Sequence, residues 1–93
     1  MIKQNTFKLI EGKFSSFDSR EILQNIFRSK IQFHQLRNFS SQERLGKNDE
    51  IAVTRIPELS NSLNKILTII EEAEKSGALV EIKSEVVVNI IEK

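Results

Sequence analysis

The chain has 93 residues, of which 39% are hydrophobic and 29% are charged, a balance typical of one globular domain and not of a disordered or collagen-like chain. Its formal net charge is only +1, but residues 1–49 carry nine Lys and Arg against five Asp and Glu, whereas residues 50–93 carry five against eight. The absence of cysteine excludes disulfide bonds, thiolate metal sites and cysteine nucleophiles, so a single domain over residues 1–93 must be stabilised by its own packing or by a partner.

The first predicted element is a strand over residues 6–15, where apolar side chains are mixed with polar ones. Gly12 interrupts this strand, and we expect it to mark a bulge or a bend. Asp18 and Glu21 then have the spacing of a capping box, in which each side chain accepts a hydrogen bond from the backbone amide of the other residue. The spacing predicts that a helix begins near residue 19.

The first helix is predicted over residues 19–38, and it can extend to residue 45, before Gly46. Asn38 and the serines after it compete for backbone hydrogen bonds, so the helix could end early. Its apolar residues form two adjacent stripes, which are Ile22, Ile26, Phe33 and Leu36 in one and Leu23, Phe27 and Ile31 in the other. Because these stripes cover more than half of the circumference, we expect the helix to contact more than one neighbour.

A loop is predicted over residues 46–55, where polar and charged residues follow a glycine. Asn48 or Asp49 could cap a short helical stretch through Thr54, because short polar side chains accept hydrogen bonds from the free amides of a first helical turn. The sequence leaves open whether residues 49–56 are helical.

The second helix is predicted over residues 56–76, because its apolar residues recur at alternating steps of three and four, the seam of a helix packed lengthwise against another. This seam consists of Ile56, Leu59, Leu63, Ile66, Ile70 and Ala73. Pro57 suits the first helical turn, where a backbone amide would have no partner. Gly77 suits the left-handed residue that ends a helix.

The last predicted element is a strand over residues 79–91, which is rich in β-branched residues and free of Gly and Pro. The residues of one parity that we expect to face the core are Val80, Ile82, Val86, Val88 and Ile90. A helical hairpin with short loops returns this strand to the first one. The predicted fold is therefore α+β with the order β-α-α-β, an antiparallel helical hairpin packed on a two-stranded antiparallel sheet.

The predicted sheet is small and has two open edges, which makes it marginal in water. The segment 86–91 combines high β-propensity with no charge, the signature of a strand that aggregates when its edge is exposed. We therefore expect a partner chain. The simplest arrangement is a homodimer in which the strands or the first helix meet their copies across a two-fold axis.

The candidate contact residues are basic. Lys30, His34 and Arg37 lie at positions i, i+4 and i+7 of the first helix, Arg44 follows one heptad later, and Lys47 lies in the loop. Such a row beside phenylalanines could bind phosphates or stack on the bases of a single-stranded nucleic acid. We prefer the interpretation that the row borders an apolar seam and is neutralised by acids of the second helix, namely Glu71, Glu72 and Glu74.

The sequence predicts no enzyme, cofactor or metal site. His34 is the only histidine, and we expect it to be a partly buried helix residue because no activated nucleophile or regularly spaced acidic ligands accompany it. No apolar run is long enough for a secretory signal or a membrane span, so a cytoplasmic protein without membrane contact is expected. The function expected is a small non-enzymatic, homo-oligomeric protein-interaction domain, and the alternative is a nucleic-acid-associated regulator.

Overall fold

A computed structural model of the chain describes residues 3–92. Four elements follow in the order β1 (Lys3–Phe14), α1 (Ser16–Leu45), α2 (Glu50–Ser76) and β2 (Val80–Ile90). Within the described residues, β1 and β2 form one antiparallel two-stranded sheet, and the helices form a hairpin. The predicted α+β class and β-α-α-β order are confirmed.

Helix α1 begins earlier than its predicted start at residue 19. Ser15 has an extended backbone, and its hydroxyl accepts a hydrogen bond from the amide of Asp18 at 3.1 Å. Ser15 is therefore the N-cap. Asp18 lies in the first turn, where its negative charge interacts favourably with the positive end of the helix dipole. The predicted cap at Asp18 is wrong because a better-placed hydroxyl precedes it.

Helix α1 also continues past Asn38 to Leu45, because the polar side chains of its last turns bind the following loop. Asn38 Oδ1 accepts from the amide of Asp49 at 2.8 Å, and Ser41 Oγ donates to the carbonyl of Lys47 at 2.9 Å. These bonds satisfy the side chains outside the helix, so they do not compete with its backbone.

Helix α2 starts at Glu50, inside the predicted loop, and residues 50–56 are helical. Asp49 is the N-cap, since its carboxylate accepts from the amide of Ala52 at 3.1 Å. Pro57 consequently lies in the helix interior, and its placement in the first turn is wrong. Gly77, with a φ of 68°, ends the helix as predicted.

The sheet contains one irregularity, and it lies at Leu9 rather than at Gly12. The register shifts between Lys8 and Ile10, whereas Gly12 pairs regularly with Ile82. A Cβ atom on Gly12 would lie 3.2 Å from the ring of Phe14. Gly12 therefore makes room for that ring and does not bend the strand, so the predicted role as a bulge is wrong.

The two helices pack through the seam predicted for α2. Of the predicted seam, Leu59, Leu63 and Ile70 are buried, and the buried Ala52, which lies in the predicted loop, extends it. The facing side of α1 contributes the buried residues Ser19 and His34 and the half-buried residues Leu23, Phe27 and Ile31. The predicted apolar stripe of Leu23, Phe27 and Ile31 thus packs against α2.

Candidate self-association surface

The second apolar stripe of α1 has no covering within the described chain. We call Ile22, Ile26, Phe33 and Leu36 the α1 stripe. Ile22, near the sheet, is half-buried, but the exposed fraction rises to 38% at Ile26, 49% at Phe33 and 62% at Leu36. These positions, with Ser29 between them, continue the alternating spacing of three and four that is typical of helix-to-helix seams. The stripe therefore has the pattern of a packed surface and the exposure of a free one.

The apolar face of the sheet shows the same gradient. Along β2 the exposed fraction is 7% at Ile82, 40% at Val86, 50% at Val88 and 64% at Ile90, and Phe7, opposite Val86, is 59% exposed. We call Phe7, Val86, Val88 and Ile90 the distal sheet face. The prediction that one parity of β2 faces the core holds near Ile82, but it fails from Val86 onward because the helices do not cover that end.

The opposite sheet face is charged between Phe14 and Lys8 and continues with Thr6, Val87 and Asn89 toward the far end. Cross-strand neighbours there carry opposite charges, in the pairs Lys13 with Glu81, Glu11 with Lys83, and Lys8 with Glu85. Such pairs stabilise a sheet and are fully compatible with water. The sheet therefore has one face suited to solvent and one suited to burial. The face suited to burial is covered only in part.

The overall dimensions agree with an incompletely covered apolar surface. The radius of gyration is 16.8 Å, whereas a compact domain of this length has about 12 Å. The accessible surface is 7469 Å², whereas a folded monomer of 10.7 kDa exposes about 5,500 Å². The chain thus exposes about 2,000 Å² more than a self-contained protein of its mass.

The predicted basic row is divided by the structure. Lys30 and Arg37 lie over the ring of Phe33, with Lys30 Nζ at 4.7 Å and the Arg37 guanidinium carbon at 5.9 Å from the ring centre. Both side chains are exposed and flank the α1 stripe. In this geometry the two long basic side chains border an apolar surface with their charges in water.

His34 points the other way and is only 7% exposed. Its ring meets that of Phe33 edge to face, with the centroids 5.5 Å apart. Within the described residues, His34 Nε2 and Ser19 Oγ are buried without a hydrogen-bond partner. His34 is therefore part of the helical seam and is not aligned with the exposed cations.

Arg44 and Lys47 lie at the tip of the helical hairpin. Arg37 and Arg44 line an open depression of about 420 Å³, together with Ser40, Ser41, Leu45 and Asp49. Lys47 is exposed in the loop beside it. Both arginines line this depression, but the Asp49 carboxylate on its wall opposes an anionic ligand.

The acids predicted to neutralise this row lie elsewhere. Because the helices are antiparallel, Glu74 is near the start of α1, where its carboxylate accepts from Arg20 at 2.9 Å. Glu71 pairs with Lys75 on its own helix at 3.7 Å. The predicted counter-charge role is therefore wrong for these two glutamates.

Sequence reasoning marked the valine segment but missed Phe7 and Leu9, which are both more than half exposed. Phe7 joins the distal sheet face only through its pairing with Val86. The spacing of β1 alone hides this relation because the irregularity at Leu9 changes the parity of the strand. The register of the two strands was the missing information.

Across residues 3–92, no helix has the length and apolar character needed to cross a membrane. No group of three or more His, Asp or Glu side chains in this part of the chain is arranged to hold a metal ion. No protein-family model, curated protein or solved structure matches the chain. Its most distinctive features are the two uncovered apolar surfaces and the divided basic row.

Proposed function

We propose that this chain is a non-enzymatic self-association domain that functions as a homodimer, with the α1 stripe and the distal sheet face as its association surface. The observation that carries the proposal is the pair of exposure gradients, in which regularly patterned apolar faces become uncovered along both the helix and the sheet. Monomeric proteins rarely expose large continuous apolar surfaces of this kind. The composition, without cysteine, supports the cytoplasm as its compartment.

The size of the surface supports a stable dimer. Obligate homodimers bury roughly 1,000 to 2,500 Å² per subunit, and the excess surface of this chain is about 2,000 Å². Aromatic side chains and a low charge density are typical of the centre of such interfaces, and basic residues are tolerated at the rim. Phe33 in the stripe, flanked by Lys30 and Arg37, has this arrangement.

Light scattering after size-exclusion chromatography tests the proposal directly. The wild-type chain is expected to have the mass of a dimer at micromolar concentration. Phe33→Glu places a carboxylate in the interface, so it should give a folded monomer. Gln32→Glu is the matched control, because it adds the same charge at the next position, which is exposed on the polar side of α1. A monomeric wild type, or equal effects of both variants, would refute the proposal.

A nucleic-acid-associated regulator is the second candidate function, and the exposure of Lys30, Arg37, Arg44 and Lys47 favours it. Single-stranded binding would use the cations on phosphates and the Phe33 ring on a base. A mobility shift that weakens steeply with salt, and that Lys30→Gln with Arg37→Gln abolishes, would support this function. No shift at low salt would exclude it.

A further inference from the structure

The two edges of the sheet differ in how well they are protected against pairing. The outer edge belonging to β1 has the irregularity at Leu9 and the charged residues Lys8, Glu11 and Lys13. Bulges and charged side chains are the devices by which proteins keep an edge strand from pairing. Strand β2 has neither device from Val86 to its end at Ile90. Only one edge is therefore built to stay open.

We propose that β2 pairs with β2 of a second copy in an antiparallel manner across a two-fold axis, forming a four-stranded sheet in the order β1-β2-β2-β1. This inference rests on the proposed self-association and specifies its geometry. The second copy is the favoured occupant because the excess exposed surface of about 2,000 Å² matches the area that a stable homodimer buries per subunit.

This pairing places equivalent faces of the two sheets next to each other. A two-fold axis perpendicular to the sheet keeps equivalent faces of both copies on the same side. The distal sheet faces then join into one continuous apolar face, and the opposite face, with Val87 and Asn89 between the charged pairs of the two copies, is turned toward water. Sheets with an apolar face and three or more strands are much more stable than an isolated pair of strands.

Charge also restricts the register. A two-fold axis at Lys83 or Glu85 would place a like charge directly opposite its copy, which destabilises a strand pair. Centres from Val86 to Ile90 avoid this contact, because each of these positions is uncharged. A centre at Ser84 would avoid it too, but only the segment from Val86 to Ile90 leaves the β2 edge without charged residues, so the axis is placed near Val88, in the middle of that segment.

Amide hydrogen exchange tests the pairing on the unmodified protein. In an edge strand every second amide points away from its neighbour and exchanges fast, whereas a strand paired on both sides protects all of its amides. Continuous protection is expected over residues 86–90, and alternating protection over residues 6–13 of β1 serves as the internal control. Alternating protection in β2 of a dimer would overturn the pairing.

Disulfide trapping is the second test, because the chain has no cysteine of its own. Val88→Cys lies at the proposed axis, directly opposite its copy, and should cross-link to it in most of the oxidised protein. Lys8→Cys is the control, since in the proposed sheet β1 is separated from its copy by about 14 Å, beyond the reach of a disulfide.

The outcomes separate the two proposals. A dimer that cross-links at Lys8→Cys, or that does not cross-link at Val88→Cys, would overturn the β2 pairing and leave the self-association domain standing. A wild-type chain that is monomeric at every concentration would overturn both. A dimer that cross-links at Val88→Cys and not at Lys8→Cys supports both.

Discussion

Leu36 provides the most quantitative test of the self-association surface. Its side chain belongs to the α1 stripe and is 62% exposed in the single chain. Truncation to alanine therefore removes apolar surface that association is expected to bury, while it removes little that the chain buries alone. We expect Leu36→Ala to weaken dimerisation strongly and to leave the fold intact.

The magnitude follows from the exposed fraction. Leucine to alanine removes three carbon groups, worth about 2.4 kcal/mol at about 0.8 kcal/mol per fully buried group. Because 62% of Leu36 is still exposed in the single chain, association accounts for about 1.5 kcal/mol of this in each copy. Two copies lose about 3 kcal/mol, which raises the dissociation constant by about 100-fold.

Sedimentation equilibrium over a dilution series measures this change. Leu79→Ala is the matched control, because Leu79 is 64% exposed but lies in the connection between α2 and β2, outside the proposed surface. Its dissociation constant should change by less than about threefold, within the range of ordinary surface substitutions. Equal weakening of the dimer by the two variants, or no effect of Leu36→Ala, would show that the α1 stripe is not in the dimer interface.

The remaining predictions concern stability. Ser19→Ala removes a buried hydroxyl that lacks a partner within the described residues, so it should raise the free energy of unfolding. The gain should be about 1 kcal/mol larger than that of Ser62→Ala, an exposed helical control. Equal gains of the two variants in urea unfolding would contradict this. Pro57→Ala restores an amide that can donate to the carbonyl of Val53, and a gain of about 2 kcal/mol is expected by the same assay. A lower free energy of unfolding would show that Pro57 stabilises the folded chain at this position. The thermal midpoint of the wild type should rise with protein concentration, as in any folded dimer, and a constant midpoint in calorimetry would count against association.

The sequence was sufficient to predict the order of elements, the α2 seam and the glycine that ends α2. These features depend on local periodicity and on backbone preferences that a short segment carries by itself. The seam through Leu59 and Leu63 is buried where the spacing of three and four placed it. Local patterns therefore predicted the elements and their facing.

The helix ends were harder to predict because their caps depend on groups distant in sequence. The sequence predicts that Asn38 can end α1, but in the structure its side chain accepts a hydrogen bond from the amide of Asp49 across the interhelical loop. The same bond fixes Asp49, which then caps α2 well before Pro57. A polar side chain that competes with its own helix in isolation thus supports the helix once the neighbouring loop is folded.

The contrast between Ile82 and Val88 shows what a periodic pattern does and does not specify. Both residues lie on the same face of β2, yet one is 7% exposed and the other 50%. Alternation of apolar and polar residues indicates that a face is suited to burial, but it does not indicate which chain supplies the cover. The spacing of the α1 stripe likewise indicates a surface suited to burial without indicating which chain covers it. The proposed self-association accounts for both surfaces, because each has the spacing of a packed surface and each is uncovered within the described chain.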